Sequence, residues 1–124
     1  MGLDYNISYE HPLINVRTAG TFDFLKAYEM WEAIVVASDS NNCNRILGVS
    51  NLDEPMPSMD AYDHLSILQS VGVTEKHNIA WVAGKPNLLD KLRIIETVLR
   101  NRGSINMRVF ESVTEARRWL AEAN

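Results

Sequence analysis

Three histidines, one cysteine and a scatter of carboxylates are the groups with which this chain of 124 residues can do chemistry, and their spacing limits what that chemistry is. Of His11, His64 and His77, only His64 has acidic neighbours at helical spacing, with Asp60 four residues earlier and Asp63 adjacent. A helix would bring Asp60 and His64 to one face, where they can grip a cation or act as a base and its orienting carboxylate. Two ligands without a third make a poor metal site, and the ordinary role of such a pair is to sit solvated on the helix surface. Cys43 stands alone after two asparagines, which excludes an internal disulfide and every multi-cysteine metal or redox motif. No G-x-S-x-G nucleophile turn occurs, and the six glycines are too widely separated to cradle a phosphate in a P-loop or a dinucleotide fingerprint. These patterns assign no catalytic residue, metal ligand or cofactor.

The densest run of reactive and recognition residues is the stretch from Asn51 to Asp63. It gathers Asp53, Glu54, Ser58, Asp60 and Asp63 with Met56, Met59 and Tyr62, after an apolar run and before a helix. In open sheets with helices, the carboxyl ends of the strands are where ligands and partners dock. The leading expectation is therefore a protein partner bound by Asp53, Glu54, Ser58, Asp60, Tyr62 and Asp63. Ser58 is suited to cap the helix. Phosphorylated, it would be favoured by the helix N-terminus and repelled by the surrounding carboxylates. The alternative is a carrier or sensor of a small apolar ligand or lipid, with Met30, Trp31, Met56, Met59 and Trp81 lining an adaptable pocket between helix and sheet. The three tryptophans, Trp31, Trp81 and Trp119, all fall within apolar patterns, which suits core positions.

The elements that must position these residues follow from periodicity. Residues 5–11 alternate apolar and polar, and 13–21 are rich in Ile, Val and Thr, so two strands joined by a tight turn are expected. Phe24, Tyr28, Trp31 and Val35 then mark one stripe of a helix that Thr21 or Asp23 can cap and that Asp39–Asn42 ends. Residues 45–50 read as a central strand, 51–57 as a loop broken by Pro55 and Pro57, and 58–70 as a second helix with Ala61, Leu65 and Leu68 inward. A strand at 78–84 precedes a helix with Leu88, Leu92, Ile95 and Leu99 on one face, Pro86 near its start and Gly103 just past its end. An outer strand at 105–109 and a last helix opened by Ser112 complete the chain. The expected fold class is α/β in the order ββαβαβαβα. It is a single domain with a mixed five-stranded sheet, the first pair antiparallel and the rest parallel, under four helices. The outer strand leaves an edge at which a homodimer can pair.

Composition narrows the function further. Sixteen acidic against twelve basic residues give a net charge of −4, which lacks the footprint of a nucleic-acid binder. The charge is uneven: residues 1–84 hold four basic and eleven acidic side chains, residues 85–124 eight and five. Such a dipolar surface favours oriented protein association. No apolar run approaches the ~20 residues that span a bilayer. The opening Met1-Gly2-Leu3-Asp4-Tyr5 lacks a basic, apolar leader, so a cytoplasmic location is expected.

With this element order, Val16-Arg17-Thr18-Ala19-Gly20-Thr21-Phe22-Asp23 resembles the second strand and helix start of STAS domains. These are the family of bacterial anti-sigma-factor antagonists and sulfate-transporter tails. Gly48-Val49-Ser50-Asn51-Leu52 leading to Met59-Asp60-Ala61 is similar to that family's strand and Met-Asp-Ser-Ser segment. Residues 109–120 are similar to the last strand and helix of many members, particularly the SpoIIAA-like subgroup. The resemblance implies a non-enzymatic, regulatory binding module, either for a protein partner or, as in relatives linked to CRAL-TRIO lipid carriers, for an apolar ligand between helix and sheet. Ala61 stands where the antagonists carry their phosphorylated serine, which excludes a phosphoserine switch at that position.

Overall fold

In the computed structural model, residues 2–53 and 61–123 are described. They form β1 (Leu3–Glu10), β2 (Leu13–Gly20), α1 (Phe24–Ser40), β3 (Arg45–Leu52), α2 (Ala61–Val71), β4 (Asn78–Ala83), α3 (Pro86–Gly103), β5 (Asn106–Phe110) and α4 (Val113–Glu122). The strands lie in one sheet in sequential order; β1 and β2 are antiparallel, and every later neighbour pair is parallel. The order ββαβαβαβα and the mixed five-stranded sheet are those expected from the sequence.

Alternation along the strands sorts side chains onto two faces. Ile14, Val16, Ile46, Ile79, Trp81, Met107 and Val109 face the larger core, built with α1, α2 and α3. Leu13, Leu47, Ala80 and Val82 face a smaller core under α4, completed by Ala116 and Leu120. Because α4 packs on β3, β4 and β5, the corresponding face of β1 and β2 carries Asp4, Asn6, Glu10 and Arg17, all exposed. This uncovered polar face is the physical reason for the period-two pattern of residues 5–11.

Local signals set most helix ends. Asp23 caps α1, its Oδ1 accepting from the Leu25 and Lys26 amides at 3.0 and 3.4 Å, and the Ser112 hydroxyl accepts from the Glu115 amide at the start of α4. Most boundaries shift by one or two residues from the sequence reading, and two of the differences have a clear physical reason. β3 runs on through Asn51 and Leu52, because Leu52 continues the inward series Ile46, Gly48, Ser50 and is 4% exposed. Gly103 closes α3 from inside the helix, and Ser104 takes the left-handed conformation after it (φ 54°). A Cβ on Gly103 would collide with Leu65, so this glycine serves the close approach of α2 and α3.

His77, just before β4, is 1% exposed. Its Nδ1 accepts from the Thr74 amide at 3.1 Å, which places the ring hydrogen on Nε2. Burial, opposed by the backbone hydrogen bond with Thr74 and by Asp39 and reinforced by Lys76, holds the ring below the usual histidine range. Unfolded histidine titrates near 6.5. Between that value and the lower folded one, the unfolded chain carries the extra proton, so stability is full above about pH 6.5 and falls as the pH drops through the window. His77→Asn keeps an acceptor for Thr74 and is expected to flatten this slope in urea midpoints measured from pH 7.5 to 5; equal slopes in the two proteins would refute the assignment.

Candidate functional site

Among the described residues, a cavity of about 50 Å³ lies between the sheet and the layer of α1, α2 and α3. Its position follows from the strand register. Thr18 and Ser50 are direct neighbours near the carboxyl ends of β2 and β3, both turned toward the helices and at most 4% exposed. The Thr18 hydroxyl donates to Ser50 Oγ at 3.3 Å. Two residues earlier on β3, Gly48 has no side chain, and the ring of Trp81, its partner on β4, fills that space. Trp31 of α1 stacks on Trp81 with centroids 5.3 Å apart and planes at 29°.

His64 enters the same cavity from α2, tilted against Phe22 at 5.3 Å. The sequence reading placed it on a solvated helix surface beside Asp60; the structure buries it to 8% exposure, because Ala61, His64, Leu65 and Leu68 share the inward face of α2. Thr18, Ser50 and His64 together give the cavity a polar end near the strand carboxyl termini. Toward the other end, Leu92 and Leu99 of α3 and Met107 of β5 make it wholly apolar. Buried polar side chains cost free energy unless they find partners, and the Thr18 and Ser50 hydroxyls find one in each other. With polar groups at one end only, the site has the shape to hold one hydrogen-bonding group against a largely apolar body.

Of the residues expected to line a pocket, Met30, Trp31 and Trp81 do line this cavity, while Met56 and Met59 lie outside the described residues. Of the expected partner surface, Glu54, Ser58 and Asp60 also lie outside them. Asp53 is exposed and paired with Lys85 at 3.2 Å, a contact that closes the carboxyl edge of the sheet between β3 and the start of α3. Tyr62 and Asp63 are exposed on the first turn of α2. The sequence reading missed Thr18 and Ser50 and singled out His64 only as a surface partner of Asp60, although each sits in step with the apolar residues of its own element.

Other polar contacts tie elements of the fold together. Tyr5 donates its hydroxyl to Glu29, tying β1 to α1; this bond, helped by Lys26, keeps the Glu29 carboxyl below its usual range. Cys43 donates to the Pro12 carbonyl, and Ser38 bonds the Cys43 carbonyl at 2.6 Å, which closes the turn between α1 and β3. Among the described residues no three His, Cys, Asp or Glu side chains converge as a metal site, and no helix is long and apolar enough to cross a membrane. No protein-family description and no curated protein matches the chain.

Proposed function

We infer that the protein is a non-enzymatic STAS-like module that carries or senses a small, largely apolar ligand bearing one neutral hydrogen-bonding group. The observation that supports this most directly is the placement of Thr18, Ser50 and His64 at one end of an otherwise apolar cavity. A core built for stability alone gains nothing from polar side chains there, whereas a ligand site uses a few polar groups to orient an apolar guest. The lining residues described include neither Lys nor Arg, which disfavours a charged head group. A volume of about 50 Å³ admits little more than water, so a guest has to displace side chains. Met30 and Met107, unbranched and adaptable, are the lining residues best able to move.

The test uses the neutral fluorophore N-phenyl-1-naphthylamine, with 1-decanol as competitor. Enhanced probe emission, quenching of Trp31 and Trp81, and displacement by decanol are expected. Ser50→Ala should weaken decanol about 3–10-fold while leaving decane unchanged, the range expected for one lost hydrogen bond. Absence of probe uptake, or equal loss for decanol and decane, refutes the reading.

A second reading, a protein partner at the acidic carboxyl edge, is favoured by Tyr62, an aromatic side chain 53% exposed beside Asp63. Substituting Asp53, Asp60 and Tyr62 together should release any protein that co-purifies from the native cells; retention of every one counts against this surface.

A further inference from the structure

The sheet has two edges, and they are treated differently. At the β5 edge, the Val109 amide donates to Glu96 Oε2 of α3 at 2.7 Å, so a carboxylate occupies a backbone donor that another strand would need. Capping an edge in this way is a known protection against strand addition, and it closes the 105–109 strand, the edge that the sequence reading offered for pairing. β1, at the other end of the sheet, is eight residues long, contains no proline, and makes no backbone hydrogen bond among the described residues except to β2 and its flanks.

Which groups of β1 are open follows from one bond. The Thr21 amide donates to the Gly2 carbonyl at 3.1 Å, next to the Leu3 and Gly20 pair. Hydrogen-bonded and open pairs alternate in an antiparallel ladder, so the even-numbered residues of β1 bond β2, and Leu3, Tyr5, Ile7 and Tyr9 direct their amides and carbonyls outward.

We propose that β1 is a homodimerisation edge, two copies pairing antiparallel about a two-fold axis at Asn6 to make one sheet continuous across both. In this register Leu3 meets Tyr9 of the second copy and Tyr5 meets Ile7, which uses all four outward residues of each strand. On the uncovered face Asp4 lies opposite Ser8, and Asn6 opposite its own copy. Centring the axis on Ile7 sets Asp4 against Glu10, two carboxylates directly opposed, and leaves Leu3 unpaired. Centring it on Tyr5 leaves Tyr9 unpaired. The sequence of β1 is thus self-complementary in one register.

The test is covalent trapping in the full chain with Cys43→Ser as background. Asn6 is exposed and its side chain is free of core contacts, so Asn6→Cys should fold normally, as a thermal melt will verify. Across the axis position 6 forms a non-hydrogen-bonded pair, whose Cα separation of about 4.5 Å lies within disulfide range. Mild oxidation should convert Asn6→Cys to a covalent dimer, whereas Ser8→Cys, which faces Asp4, stays monomeric on a non-reducing gel. Sedimentation should show the unmodified chain dimerising with concentration, and Asn6→Asp should weaken that dimer about 2–5-fold. A monomer at every concentration overturns the proposal, as does a dimer that is not trapped at position 6, one trapped equally at position 8, or a monomer whose β1 instead captures an extended peptide.

Discussion

Trp81→Ala is expected to lower stability by about 3–5 kcal/mol, read as the loss of urea midpoint in far-UV circular dichroism. Trp81 is 5% exposed on β4, an interior strand of the sheet. Its ring lies across Gly48 on one side and against Trp31 on the other, so two elements lose their packing partner at once. The backbone of β4 is held between β3 and β5 and cannot collapse into the space. At this chain length each kcal/mol is worth about 4 °C of melting temperature, which makes a fall of about 12–20 °C. Trp119 provides the contrast. It is half-buried against Phe110 at the edge of the smaller core, and its alanine variant should cost less than half as much. The same substitution separates stability from binding: Trp81→Ala enlarges the cavity, so N-phenyl-1-naphthylamine should bind the variant more tightly although the protein is weaker. A midpoint loss below about 1 kcal/mol would show that the Trp31–Trp81 stack does not carry this core.

The element order was legible because helix and strand periods are written in apolar residues, and in this chain they rarely conflict. Leu88, Leu92, Ile95 and Leu99 mark α3 without ambiguity, and all four are buried. The site was less legible, for a reason visible in β3. Its inward series is Ile46, Gly48, Ser50 and Leu52. Two of the four are not apolar, so no alternation marks the strand, and Pro55 and Pro57 make the stretch after residue 50 read as loop. Those two positions are the ones that shape the cavity, since Gly48 makes room for an aromatic ring and Ser50 provides its hydroxyl. His64 was hidden likewise, because a histidine beside two aspartates suggests solvent until one notices that it is in phase with Ala61, Leu65 and Leu68. Deviations from the apolar pattern at inward positions are where a core gives up packing for something else. Gly103 shows the opposite case, a helix-ending signal whose actual role is contact with Leu65.

Gly48→Ala should destabilise the protein by about 1–3 kcal/mol, and Gly48→Val by more, because added atoms in a filled core force strain on their neighbours. Elsewhere in a strand, glycine to alanine is favourable, since glycine has the larger entropy to lose and packs nothing. Here the new Cβ would lie far inside contact distance of carbons in the six-membered ring of Trp81, and that ring cannot swing aside while Trp31 is stacked on it. The conflict therefore belongs to the pair. In a Trp81→Leu background the obstructing ring is gone, and Gly48→Ala should cost little or become stabilising, giving a coupling energy of about 1–3 kcal/mol from four urea curves. The functional readout moves with it: in Gly48→Ala alone, the added methyl and the crowded Trp81 ring leave less room in the cavity that Trp81 lines, so uptake of the fluorophore should fall while the fold persists. Additive costs would mean that the glycine is required by the backbone of β3, and the cavity would lose its explanation as a space that Gly48 and Trp81 shape together.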